Sequence, residues 1–155
     1  AIAETRASFK TANQTLISRL IEGNFPRYES VIPESNPGRL TVNTGEFMAA
    51  VRRVSIFANQ LSKQIRLHID SDKISLETED QELGGQAKEE VAATYVGESL
   101  NIAYNSQYLM DVLKRIDTEE VVFELGGEDD AAIVKPTEQE ENEDFLMLLM
   151  PIRLR

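Results

Sequence analysis

The side chains able to do covalent or acid–base chemistry are few and scattered. The 155 residues contain one His and no Cys. Thiolate nucleophiles, thiolate zinc sites and disulfides are therefore excluded. His68 alternates with Arg66 and Asp70, the period of a strand, so it reads as part of a solvated sheet face rather than as a general base. No Ser-His-Asp set and no phosphate-cradling Gly-rich loop is identifiable. Asp70 and Asp72 flank a turn but lack the Gly and the later Glu of a calcium loop. The acidic run Glu138–Asp144 can attract a cation weakly, yet nothing in its spacing fixes ligand geometry, and it reads as a solvated loop. No metal, no cofactor and no catalytic residue is assigned; an enzyme is not expected.

Binding chemistry is better marked. Against 27 acidic residues stand 16 basic ones, for a net charge of −11. Such a chain is repelled by nucleic acid and by membranes unless its cations are gathered in one place. Two pairs are: Arg52-Arg53 and Lys114-Arg115, with Lys63 a further candidate. A basic helical face on an acidic body attracts a polyanion to one surface. The faces offer no Asn/Gln/Arg cluster that would match base edges, so phosphate contact blind to sequence is expected. Near a helix C-terminus the same pairs also offset the macrodipole, which is the structural alternative. The second feature is the apolar run Phe145–Met150 with its tail Pro151-Ile152-Arg153-Leu154-Arg155. An unbroken apolar run suits a strand buried on both faces. Pro151 stops ordinary pairing, so Ile152 and Leu154 either fold back onto the core or line a surface groove.

The elements that position these residues repeat. Asn43-Thr44-Gly45-Glu46-Phe47-Met48-Ala49-Ala50-Val51-Arg52-Arg53-Val54 lies on Asn105-Ser106-Gln107-Tyr108-Leu109-Met110-Asp111-Val112-Leu113-Lys114-Arg115-Ile116 without a gap. Thr44 and Ser106 are the expected N-caps. Phe47, Ala50, Val51 and Val54 make one apolar helical stripe, and Leu109, Val112, Leu113 and Ile116 make its counterpart. A strand precedes each helix, Arg39–Asn43 and Ser99–Asn105. Three follow each: Ile65–Asp70, Lys73–Glu79 and about Lys88–Val96, then Glu120–Leu125, Ala131–Pro136 and Phe145–Met150. Turns are expected at Asp70–Lys73 and Gly126–Asp130. The predicted class is α+β: a strand-helix-three-strand unit used twice, its two helices packed on a β shell. Before it, Ala1–Asn24 alternates raggedly, Phe25–Pro33 reads as an extended connector, and the turn cluster Glu34–Gly38 marks a boundary. The chain opens on Ala1, not Met, inside a strand-like pattern, so a piece of a longer protein is expected.

The duplicated unit, the paired basic helices and the Met-Pro-Ile-Arg-Leu ending together resemble the bacterial DNA sliding clamp, the beta subunit of DNA polymerase III. Gly23-Asn24-Phe25-Pro26-Arg27-Tyr28 resembles the family's Gly-Arg-Phe-Pro-Asp-Tyr segment, Val31-Ile32-Pro33 continues it, and Met150–Leu154 resembles its Met-Pro-Met-Arg-Leu ending. The resemblance implies the DNA-clamp fold, with residues 1–33 as the end of the middle domain and its connector, and 34–155 as the third domain. It implies a homodimeric ring that encircles duplex DNA without sequence preference, a non-catalytic processivity factor in the bacterial cytoplasm. The polymerase III catalytic subunit, the clamp loader, other polymerases and repair proteins would dock through short peptide motifs. The implied groove positions are Pro26, Val31, Asn105, Tyr108, Leu148, Leu149, Met150, Pro151, Ile152 and Arg153. Ser30 stands where the family often has Arg. Arg52, Arg53, Lys63, Lys114 and Arg115 would face duplex phosphates, and Ile56 and Phe57 would meet the second copy of the full-length subunit. The competing class is a stand-alone acidic β-rich interaction module whose basic pairs only cap helices.

Overall fold

The computed structural model describes residues 2–23, 27–80 and 84–153. Strands β1 (Ile2–Ala3), β2 (Arg6–Lys10) and β3 (Thr15–Arg19) form a small antiparallel sheet in that order. The connector beyond it is not extended throughout, because Tyr28–Val31 closes a single 3-10 turn. The Ser30 hydroxyl and N–H both donate to the Arg27 carbonyl, at 2.7 and 3.1 Å. A Ser hydroxyl that can reach back three residues gives the backbone an alternative to extension. Ile32 is extended again ahead of Pro33, as the proline ring requires.

The duplicated unit is present as expected. The first copy runs β4 (Gly38–Asn43), α1 (Thr44–Ser55), β5 (Gln64–Ile69), β6 (Lys73–Asp80) and β7 (Gly85–Val96). The second runs β8 (Leu100–Asn105), α2 (Ser106–Leu113), β9 (Glu120–Leu125), β10 (Ala132–Pro136) and β11 (Met147–Leu149). All eight strands join one antiparallel sheet in the order β11-β10-β9-β4-β7-β6-β5-β8. The two copies exchange partners. β4 pairs with β9, Val42 opposite Val121, as β8 pairs with β5, Tyr104 opposite Ile65. A pseudo-two-fold axis follows, and it predicts that β8 meets the last strand as β4 meets β7. One bond of that kind is made, Ile152 N–H to the Ala103 carbonyl at 2.7 Å. Ala103 is the repeat equivalent of Thr41, which pairs with Thr94 of β7. Pro151 has no N–H to extend the ladder.

Both apolar helix stripes pack into one core with the inward strand residues. Phe47, Val51, Leu109 and Leu113 are buried there with Leu40, Ile65, Ile102 and Phe123, and Phe47 meets Phe123 edge to face at 5.9 Å. Burying each such side chain contributes roughly 1.5–3 kcal/mol. The caps lie one residue earlier than predicted. Asn43 Oδ1 accepts from the Glu46 N–H, and Asn105 Oδ1 from those of Gln107 and Tyr108. Both Asn residues are still extended at the strand end, the conformation an N-cap needs. Thr44 is already helical, and its hydroxyl donates instead to the Thr118 carbonyl at 3.0 Å.

β11 is also shorter than the apolar run suggests, and among its residues only Leu149 is buried. The register places Val134 opposite Met147, so Phe145 would face Pro136, which has no donor. Gln139 takes Phe145 instead: its side chain accepts the Phe145 N–H at 2.6 Å and donates to the carbonyl at 3.0 Å. The run is therefore an edge strand, with its outer side open.

One core group stands out chemically. Tyr104 is 1% exposed, and its hydroxyl is the one buried side-chain polar atom without a hydrogen-bond partner among the described residues. Burial pushes the phenol above its ordinary pKa range. Tyr104→Phe removes an unsatisfied group without opening a cavity. It is expected to leave unfolding by urea unchanged or to add about 1 kcal/mol of stability; a loss of that size would reveal a partner for the hydroxyl.

Candidate functional site: an apolar trough beside the C-terminal tail

The open side of β11 and one side of α2 enclose a trough of about 580 Å³, lined by Asn105, Tyr108, Asp111, Val112, Arg115 and Met147–Ile152. Sequence dictates both walls. On α2 and its continuation the lining residues Asn105, Tyr108, Val112 and Arg115 recur at three- and four-residue steps, one side of a helix. On the tail, pairing ends at Leu149, Pro151 prevents its resumption, and the Ile152 bond to Ala103 brings the end back beside the start of α2. Leu149, 4% exposed, belongs to the core, while Met150, 65% exposed, is presented to solvent. Tyr108 is exposed beside it. Asn105 is fixed by capping α2 and by donating from Nδ2 to the Ser62 carbonyl at 3.3 Å. A concave, mainly apolar surface with a few oriented polar groups suits an extended peptide bearing large apolar side chains.

Of the predicted groove positions, Asn105, Tyr108, Leu148, Leu149, Met150, Pro151 and Ile152 come together in the trough. Arg153 lies just past it, 3.8 Å from Asp129. Val31 is exposed on the 3-10 turn and is not part of the lining. Pro26, like Phe25 and Leu154, falls outside the described residues. Asp111, Val112, Arg115 and Met147 line the trough without having been assigned to it from sequence. The three-and-four spacing that runs through Asn105, Tyr108, Val112 and Arg115 is the signal that could have found the helical wall.

The cations are arranged less symmetrically than their repeat positions suggest. Arg52 is exposed and makes no ion pair among the described residues. Arg53 Nε donates to Glu89 of β7 at 3.1 Å. That hydrogen bond holds the Glu89 carboxyl below the usual carboxylate range. The pair is thus made at neutral pH; its contribution is present above the ordinary carboxylate pKa and is lost as pH falls through the lowered one. Lys63 takes a left-handed backbone conformation, φ 50°, after the first helix, and its carbonyl accepts the Ser106 N–H at 2.8 Å. Lys114 pairs with Asp111 at 3.1 Å. α2 ends at Leu113 after 8 residues, against 12 in α1; the chain turns on, the Arg115 N–H donating to the Val112 carbonyl at 3.0 Å, and Arg115 lines the trough.

Two other groups singled out in the sequence lie away from the trough lining. His68 sits on an open sheet face with Nδ1 2.6 Å from Asn101 Oδ1 and Nε2 3.3 Å from Asp70 Oδ2. Both ring nitrogens are occupied, and no hydroxyl nucleophile is among these partners. Ile56 and Phe57, 72% and 46% exposed, follow α1, and Leu61, 92% exposed, comes soon after in the chain.

Comparison with known proteins places this geometry. Residues 29–153 match the family model described as DNA polymerase III beta subunit, C-terminal domain. The beta sliding clamp of Staphylococcus aureus is 37% identical over 153 residues, covering 97% of this chain and 40% of that protein. A DNA polymerase sliding clamp crystal structure from Pseudomonas aeruginosa superposes with a TM-score of 0.92 at 31% identity, covering 99% of this chain and 41% of that one. The sliding clamp (DNA polymerase III subunit beta) of Bartonella birtlesii bound to griselimycin gives 0.90 at 33% identity, over 99% and 40%. The chain spans about 40% of the length of the curated relatives it matches.

Proposed function

The chain belongs to the DNA polymerase III beta subunit family, whose C-terminal domain it matches over residues 29–153, and on that premise we propose that it acts as part of a ring-shaped sliding clamp. The ring encircles duplex DNA without sequence preference and tethers the replicative polymerase, raising its processivity. It is a non-catalytic accessory subunit of the cytoplasmic replisome. Residues 1–33 form the end of a middle domain and its connector, and 34–155 form the C-terminal domain. The trough is the docking groove for short peptide motifs of the polymerase III catalytic subunit, the clamp loader, other polymerases and repair proteins. The Bartonella clamp is bound to griselimycin, and we assign that ligand to the trough in this protein.

The observation that carries this reading is the trough itself, an apolar slot kept open because Pro151 stops β11 from completing the sheet. Val31, on the connector, lies outside the lining, so the groove is proposed on the tail and α2. Arg52, Arg53, Lys63 and Lys114 face duplex phosphates, which requires Arg53 to exchange or share Glu89 and Lys114 to exchange or share Asp111. Ile56 and Phe57 contact a second copy of the complete subunit. The alternative, an acidic interaction module without a DNA role, draws on the Arg53–Glu89 pair, which occupies one of the cations.

The direct test is titration of a fluorescent peptide with Leu and Phe anchors, followed by anisotropy. Saturable binding that griselimycin displaces is expected. Binding that is unaffected by griselimycin and by Met150→Asp would remove the trough from the account.

A further inference from the structure

Among its described residues the trough carries one uncompensated charge. Arg115 lines it and is exposed, and it has no ion-pair partner among the described residues. The carboxylate on the same lining, Asp111, is taken by Lys114 at 3.1 Å, and the tail's own cation, Arg153, faces Asp129 at 3.8 Å. A guanidinium is weakly hydrated and presents a planar fork matched to a carboxylate. Set against apolar surface in a chain of net charge −11, it is the one cation among the described lining residues. We propose that the trough selects peptides that combine apolar anchors with one acidic side chain, and that Arg115 is the residue that reads it. This rests on the trough being a peptide groove.

The geometry also sets the spacing. The bond from Ile152 to Ala103 places the tail's end beside the start of α2, whereas Arg115 follows the far end of that eight-residue helix. Eight helical residues span about 12 Å, and an extended peptide covers that length in about four residues. The acidic residue therefore stands about four positions from the anchor seated against Pro151 and Ile152. Lys114 does not replace Arg115 in this role, since its ammonium is occupied by Asp111.

The test is an Asp scan through a short, end-blocked peptide with Leu and Phe anchors, each Asp compared with Asn by anisotropy at fixed ionic strength. Wild type is expected to prefer Asp by roughly three- to five-fold at one position only, the size of one exposed ion pair. Arg115→Gln should lose the preference, Arg115→Lys should keep part of it, and Arg66→Gln, a cation of β5 outside the trough, should keep it all. Equal affinity for Asp and Asn at every position in wild type, or a preference that survives Arg115→Gln, overturns the proposal and leaves the anchor-driven groove standing. Failure of every peptide to bind overturns both.

Discussion

Deleting Met150–Arg155 is expected to abolish binding of a Leu- and Phe-anchored peptide while lowering the melting temperature by only a few degrees. An anchor that buries about 100 Å² contributes roughly 2–3 kcal/mol, so removing its wall costs about thirty-fold or more in affinity. The stability cost is smaller because Met150 is mostly exposed, Pro151 and Ile152 are half-buried, and one backbone bond ties the segment to β8. About 1 kcal/mol in a domain of this size corresponds to roughly 2–4 °C. Leu149→Ala should behave in the opposite way. Leu149 is 4% exposed and paired with Ala132, so its truncation opens a cavity costing roughly 2–5 kcal/mol. Peptide titration and a thermal melt on both variants separate the two jobs of the segment. A truncation that melts like Leu149→Ala yet keeps its peptide affinity would make the tail a core element and remove the groove.

The second large effect concerns DNA. Replacing Arg52, Arg53, Lys63 and Lys114 by Gln in the complete subunit is expected to shorten its residence on DNA and to flatten its salt dependence. Each phosphate that the protein ceases to neutralise takes about 0.9 from the slope of log K against log salt. Arg53 and Lys114 should matter least singly, because Glu89 and Asp111 already engage them. Glu89→Gln alone should then lengthen residence by freeing the guanidinium. Residence and slope unchanged in the four-fold variant would leave these cations as helix caps and surface pairs.

Much of the domain was legible because the sequence states it twice. The gapless match of Asn43–Val54 with Asn105–Ile116 located both helices, the strands before them and the equivalence that the sheet then expresses as β4–β9 and β8–β5. What escaped prediction depends on neighbours distant in sequence. Asn43 rather than Thr44 caps α1 because the strand end holds Asn43 extended and Thr118 lies within reach of the Thr44 hydroxyl. β11 stops short because its register puts a proline opposite Phe145. Arg115, assigned from sequence to the phosphate face, lines the trough because it follows Asn105, Tyr108 and Val112 on one side of α2 and its closing turn, and nothing local in the sequence says that the tail packs on that side. The tail and α2 are each recognisable alone; that they face one another across a slot follows only from the folded sheet.

The proposed role is topological, a part in closing a ring around DNA. The measurement is retention of the complete, ring-forming subunit on nicked circular DNA, loaded and washed in high salt, before and after the circle is cut. The account predicts stable retention on the closed circle and rapid loss from the ends once it is linear. Equal retention on circular and linear DNA, or none on either, would contradict it.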